Sequence, residues 1–349
     1  MITKIGLDLG YANITLSDAF SEIYREPSVA LIQKEARSDL SRIIAVGNDA
    51  MSRGSEDEAE CAGILVRPFK NGILFDHQLT GEIIKRAISV AKGRDNIRCV
   101  VGMPSDFLPK QEKEIFDMLK EAGVHTCVAV SRPIAALVGA GYSPNMSVIS
   151  VNIGALSTEI AVIHNGKILI ICREPVGGEN FDKAVKQYVL AQGDVNISLS
   201  VARAIKEKLG AVWRGKPNDS IDIEGTLALT GNRLKMNVTT EDIVGVFEEP
   251  LRLFIDALVK VIRDIPADTV EEIFSNGIVL TGGGAELFGI ETLVEKVLGI
   301  PVIKPQAPID CVAKGLSRIN SLITDDGKLA NKNITSLVAE MCEEDCRFE

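Results

Sequence analysis

Two stretches of this 349-residue chain repeat one another. "TKIGLDLGYANITLSDA" near the N-terminus and "SVISVNIGALSTEIAVI" at 147–163 each carry an apolar run, a glycine and a second apolar run. Aliphatic and β-branched residues on either side of a glycine read as strand, tight turn, returning strand. A hairpin alone cannot bury its apolar faces, so two copies predict two similar sheet-based units. The length allows it, since 349 residues fit two domains of ordinary size. The copies differ at one chemically sharp position: Asp8 in the first is Asn152 in the second.

Composition narrows the function classes. The chain is 46% hydrophobic, 25% charged and 5% aromatic, an ordinary globular balance. A net charge of −10 argues against nucleic acid or an anionic membrane as the main partner. Seven cysteines, odd in number and scattered, read as free thiols of a reducing cytosol rather than as a disulfide framework. The first strand-like run starts at once, leaving no room for a signal peptide. Pro133 through Thr158 is uncharged, yet the turn-like "GYSPN" at 141–145 splits it into a helix-sized and a strand-sized piece. A buried helix followed by a buried central strand is therefore expected, not a membrane span.

Further strands are expected at "IRCVVGM", "TCVAVS" and "KILIICR", with helical patterns at "DHQLTGEIIKRAISVAK", "PKQEKEIFDMLKEAG" and "RPIAALVGAG". The order hairpin, strand–helix–strand, hairpin predicts an α/β chain of mixed sheets flanked by helices. Helices follow at "VGGENFDKAVKQYVLAQ", "SLSVARAIKEKLGAV" and "TTEDIVGVFEEPLRLFIDALVKVIRDI". Between the last two lies a polar stretch with "RGKPNDS" and "TGNRLKMN", expected to be rich in turns. Residues 331–349 read as a polar, acidic tail. Cys342 and Cys346 there are four apart, but no histidine or second pair stands near to complete a metal site.

Three strands run into glycine: "GLDLGYAN", "SVNIGALST" and "IVLTGGGAEL". Glycine lets backbone N–H groups approach an anion without a Cβ in the way. The third loop is expected to open a helix, adding the macrodipole. For any single loop a plain turn accounts for the glycine. Three of them, two related as a repeat, favour a nucleotide held between two similar domains. Asp8, at a strand end beside the first loop, either caps its own turn or holds Mg²⁺ through water.

On these residues the chain resembles bacterial actins of the rod-shape-determining MreB family, within the actin, Hsp70 and sugar-kinase superfold. The similarity runs from about Lys4 to Ile323 and includes "GLDLGYANI", "EPSVALI", "VRPFKNGILFD", "VVGMPS", "RPIAALVGAG", "VGGENFD", "AIKEKLGA", "GIVLTGGGAELFGIETLV" and "PIDCVAKG". The resemblance implies an actin-like, ribonuclease H-like duplicated fold with a nucleotide cleft between two domains. Domain I would comprise 1–145 plus 311–330, with a small subdomain at about 32–66. Domain II would comprise 146–310, with a small subdomain at about 181–240. It also implies ATP and Mg²⁺ as cofactors. Gly10, Tyr11, Ala12 and Asn13 would form the first phosphate loop, and Gly154, Ala155, Leu156, Ser157 and Thr158 the second. Gly177, Gly178 and Glu179 would lie near ribose and phosphates, with Lys206, Glu207, Gly282, Gly283 and Gly284 toward adenine and ribose. Asp8 would be the metal-side acid, with Asn152 a weak second.

The departures from the family pattern are informative. The second loop normally reads Asp-Ile-Gly-Gly-Gly-Thr-Thr-Glu; here it is "NIGALSTE". Asn152 replaces an acid, while Ala155 and Leu156 replace glycines, which would stiffen or displace a loop that needs positive φ. Tyr11 stands where threonine is usual. Arg132 stands where the family has the glutamate that orients or activates the attacking water. A guanidinium has no acceptor and keeps its proton, so it cannot take one from water. It can hold a γ-phosphate, or it can serve in an ion pair. Together the changes remove two carboxylates and add a cation, which favours keeping a triphosphate over hydrolysing it.

The leading expectation is therefore an ATP-binding filament protein for cell shape or intracellular organisation, with weakened hydrolysis. A MamK-like filament is a relative within that class. The alternatives are a non-polymerising ATP-sensing adaptor and a small-molecule kinase of the same superfold. The resemblance implies head-to-tail self-association. Met1 stands three residues from the first strand, and "VAKGRDNIRC" and "DFLP" (106–109) make poor apolar anchors. Direct membrane contact is not expected, and an adaptor or cytoskeletal partner would provide any peripheral position at the inner face of the membrane.

Overall fold

The computed structural model describes residues 2–323 apart from 19–22, 35–40, 55–62, 71, 72, 75, 92–95 and 144. The tail with Cys342 and Cys346, Pro144 of "GYSPN" and part of "VAKGRDNIRC" lie outside the described residues.

The sequence repeat becomes a repeat of sheets. The first is built from β1 (Thr3–Leu9), β2 (Asn13–Asp18), β3 (Ile23–Pro27), β4 (Ile97–Met103) and β5 (Val124–Ser131), in the order β3-β2-β1-β4-β5. The second is built from β6 (Val148–Ile153), β7 (Thr158–His164), β8 (Lys167–Glu174), β9 (Ile278–Thr281) and β10 (Val302–Ile303), in the matching order β8-β7-β6-β9-β10. In each, three antiparallel strands come first and two parallel strands are then added beside the opening one. The register repeats too: Asp8 faces Thr15 and Gly102, while Asn152 faces Glu159 and Thr281. Both residues thus stand at the same end of equivalent strands.

The central strands are buried on both faces, which is why they read as near-continuous apolar runs. The uncharged segment resolves as expected into the helix Arg132–Gly139 and the fully buried β6. No helix among the described residues is long and apolar enough to cross a membrane. Cys99, Cys127, Cys172 and Cys311 are free thiols.

Between the sheets run two short helices, Arg132–Gly139 and Cys311–Leu322. They share a core with residues of both sheets, including Val100, Val130, Val148, Ile163 and Val279. Their backbones nearly touch: a Cβ on Gly139 would strike the Cys311 carbonyl, and one on Gly315 the Ala135 carbonyl. Helix Cys311–Leu322 is tied to the first sheet by the Asn320 amide, which donates to the Ile5 and Arg98 carbonyls (both 2.8 Å).

Two three-stranded sheets extend the molecule. One pairs Ala30–Lys34 with Ser41–Val46 and Ile64–Val66. The other pairs Ser220–Leu227 with Arg233–Thr239 and Val195–Asn196. The polar stretch expected to be mostly turns is therefore largely a hairpin. Its alternation was masked because only Ile223 and Val238 of its inward positions are buried.

Candidate functional site

The tips of the two repeated hairpins and the glycines after β9 line one cavity of about 280 Å³. In the first tip, the Gly10 carbonyl accepts from the Ser28 hydroxyl (2.7 Å), and the Tyr11 and Ala12 carbonyls accept from Arg67 (both 3.3 Å). The Arg67 guanidinium also stacks 5.2 Å from the Tyr11 ring centroid. In the second tip, the Gly154 N–H donates to the Ser157 carbonyl (2.9 Å), closing the turn. The strain expected of Ala155 and Leu156 is absent. Among the described residues only Asn96, Asn165 and Asp194 are non-glycines at positive φ, so this tip needs no left-handed residue at 155 or 156.

The second tip is braced by the helix Gly178–Gly193. The N–H groups of Gly178 and Glu179 donate to the carbonyls of Gly154 (2.9 Å) and Ala155 (2.7 Å). Two of the helix's unpaired N-terminal donors are thereby used inside the protein. The third glycine run also differs from expectation. It opens a 3-10 turn, Gly283–Glu286, and the α-helix starts only at Ile290, so no full helix dipole begins at these glycines. Gly282 is needed there for its φ of 84° and because a Cβ would strike the Ile153 carbonyl.

Of the residues singled out in the sequence, Asp8, Gly10 to Asn13, Arg132, Asn152, Gly154 to Ser157, Gly178, Lys206, Glu207 and Gly282 to Gly284 meet at this cavity. Thr158, Gly177 and Glu179 stand behind it. The Thr158 hydroxyl donates to the Val176 carbonyl (2.7 Å), the Gly177 N–H donates to Asn180 Oδ1 (2.9 Å), and Glu179 pairs with Lys183 (2.9 Å). Burial raises the Tyr11 pKa, and the neighbouring Glu179 charge raises it further.

Several lining residues were not singled out: Arg25, Glu159, Arg173, Asp182 and Arg203. Buried Asp182 holds Lys206 (2.7 Å) and Arg203 (3.2 Å), and Lys206 also donates to the Gly178 carbonyl (3.1 Å). The "FDKA" pattern gave a signal only as a carboxylate one helical turn past the glycines. Counting formal charges, Arg25, Arg132, Arg173, Arg203 and Lys206 face Asp8, Glu159, Asp182 and Glu207. Arg25 and Arg173 are paired in turn with Asp310 and with Asp106 (2.8 Å) just outside the lining, so the cations at the cavity are matched by carboxylates.

At the floor, Arg132 projects from the first turn of its helix and is only 14% exposed. It donates through Nε to Asp8 Oδ1 (3.0 Å), through Nη1 to Glu159 Oε1 (3.1 Å) and through Nη2 to the Leu9 carbonyl (2.6 Å). Glu159, 3% exposed, accepts at its other oxygen from the Ser105 N–H (3.1 Å). Of the two roles open to Arg132, the ion pair is the one its contacts describe. Burial raises the carboxyl pKa of Asp8 and Glu159, Arg132 pulls both back, and the net direction is upward.

A divalent ion does not fit this donor set. Asp8 already bonds a guanidinium, Glu159 has both oxygens engaged, and Asn152 is neutral with its Oδ1 near the Thr281 hydroxyl (3.4 Å). Among the described residues no group of three His, Cys, Asp or Glu could hold a metal. Mg²⁺ at Asp8 would have to share the carboxylate with the Arg132 guanidinium.

Comparison with known proteins places this geometry. The cell shape-determining protein Mbl of Bacillus cereus is 28% identical over 318 residues, covering 89% of this chain and 93% of that protein. The cell shape-determining protein MreB of Escherichia coli is 28% identical over 330 residues, covering 93% and 94%. Among solved structures, MreB5 of Spiroplasma citri bound to ADP superposes with a TM-score of 0.83 at 22% identity, covering 91% of this chain and 95% of that one. A second structure of that protein is bound to AMPPNP. The MamK double helical filament gives a TM-score of 0.76 at 20% identity, covering 92% and 99%. The fold is thus actin-like, as the family resemblance implied. A model of the MreB/Mbl protein family matches residues 2–327, and the chain belongs to that family.

Proposed function

We propose that this chain is a bacterial actin-like filament protein that binds a purine nucleoside triphosphate, ATP foremost, and hydrolyses it slowly or not at all. The observation that carries the reading is the convergence of three glycine loops, drawn from two repeated sheets, on one cavity. The nucleotides ADP and AMPPNP bound to MreB5, and the filament formed by MamK, support it. In this reading residues 1–145 with 311–330 form one gripping unit and 146–310 the other. Assembly is head to tail, because a heterologous contact that does not close generates a filament.

Weak hydrolysis follows from the floor of the cleft. A general base must accept a proton from water, and Arg132 cannot. Asp8 and Glu159 could accept one in principle, but both are committed to Arg132. The same commitment weighs against a small-molecule kinase, which needs a free carboxylate for its substrate hydroxyl. Any membrane attachment belongs to a partner protein; in "DFLP" only Leu108, 62% exposed, and the adjoining Pro109 present apolar side chains to solvent while Phe107 packs inward.

Ultracentrifugation and negative-stain microscopy of the purified chain test the reading. ATP is expected to move the protein into the pellet as filaments, with phosphate release close to that of ATP alone. Protein that binds ATP yet stays monomeric would be an ATP-sensing adaptor instead. Rapid phosphate release would defeat the hydrolysis claim.

A further inference from the structure

Arg132 places a fixed positive charge where a polyphosphate would need a counter-ion. Three of its five N–H groups are used, on Asp8, Glu159 and the Leu9 carbonyl, which locks the side chain in place. Its remaining donors belong to a side chain that lines the same cavity as the Gly10 and Gly154 hairpin tips. Asp8, beside the first tip, is therefore already paired with a resident cation, which it shares with Glu159, and its counterpart Asn152 carries no charge.

We propose that this cleft binds the triphosphate as the metal-free anion, with the Arg132 guanidinium in place of a divalent cation. The proposal rests on the nucleotide reading above and deepens it. Guanidinium is suited to that role because it is always charged, less strongly hydrated than ammonium, and shaped to donate in pairs to phosphate oxygens. A divalent ion added to the same floor would have to displace Arg132 from Asp8 or share the carboxylate with it. Asp8 and Glu159 here orient the guanidinium rather than the metal, which makes both of them positioning residues.

Calorimetric titration of the full chain with ATP, once in excess EDTA and once in excess magnesium chloride, separates the possibilities. The expected dissociation constants agree within about threefold, a difference below 1 kcal/mol. Arg132→Gln should weaken binding in EDTA by about tenfold or more and make it respond to magnesium, whereas Arg132→Lys should keep part of the metal-free affinity. Binding by the unaltered chain only when magnesium is present would overturn the inference and leave the nucleotide reading standing. Metal-free binding that Arg132→Gln does not disturb would overturn the role of Arg132. No binding under either condition would remove the nucleotide reading itself. If Arg132→Gln does not fold, as circular dichroism would show, the comparison of EDTA with magnesium on the unaltered chain still decides whether metal is needed.

Discussion

Arg132 carries its charge in the first turn of a helix, where the dipole opposes a cation, and two facing carboxylates offset that cost. Removing the guanidinium would leave the part-buried Asp8 and the buried Glu159 together without a counter-charge. Arg132→Met is therefore expected to destabilise the fold by about 3–5 kcal/mol at neutral pH, the usual cost of breaking a buried pair. The pH dependence has a definite sign. Both carboxyls already have raised pKa values, and losing Arg132 raises them further. The folded variant then holds protons that the unfolded chain has released, so stability falls as pH climbs above the ordinary carboxylate range. Urea unfolding at about pH 7.5 and about pH 4.5 checks this: the penalty should shrink at the lower pH. An equal penalty at both would mean the two carboxylates are not the cause. At this scale the sequence announced Asp8, Asn152 and Arg132 through a repeat and a broken pattern. Glu159, the last residue of "NIGALSTE", keeps the family's glutamate but gave no sign of its partner; it stands near the start of β7 at the position where the first copy has Thr15. The ion pair joins residues from different elements, and no local spacing encodes such a meeting.

Elements were legible in proportion to their burial. Strands buried on both faces and helices with one apolar face carry strong periods, and β1, β2, β4 to β8 and the longer helices fall where those periods put them. β3, with Tyr24, Arg25 and Glu26 in a row, and the hairpin of Ser220–Leu227 with Arg233–Thr239 are too polar to show one. The contact of helices Arg132–Gly139 and Cys311–Leu322 was invisible for another reason: a glycine that admits a backbone looks in sequence like one that serves a turn. The difference is measurable. Gly315→Ala must push against the Ala135 carbonyl, and overpacking of this kind costs about 1–3 kcal/mol or more. Gly81, inside helix His77–Ser89, has open space at its Cβ, so Gly81→Ala is expected to stabilise by about 0.5–1 kcal/mol. Thermal unfolding of the two variants should move in opposite directions. A Gly315→Ala protein as stable as the parent would show that these helices can slide apart without loss.

Over the whole molecule, the polar links between the sheets are concentrated beside the cleft. Glu159 meets Ser105 and Arg132, and Arg173, its partner across β7 and β8, meets Asp106 (2.8 Å). The half-exposed Asp106 pair contributes little by itself. A ligand touching both hairpin tips would therefore add a substantial part of the linkage. Binding to the folded state alone stabilises by about 2.7 kcal/mol when the ligand stands at a hundredfold its dissociation constant. For a chain of this size that corresponds to a rise in Tm of about 4 °C. The rise should need both halves of the grip. Gly10→Ala brings a Cβ to 2.6 Å from the Asn13 carbonyl in the first tip, and Gly282→Ala strains a left-handed position beside the second sheet. Each variant is expected to lose most of the ATP-induced rise, whatever its own Tm, and the double variant should lose little more. If only one of them mattered, the nucleotide would be resting on a single sheet. Filament assembly could not then be driven by drawing the two together.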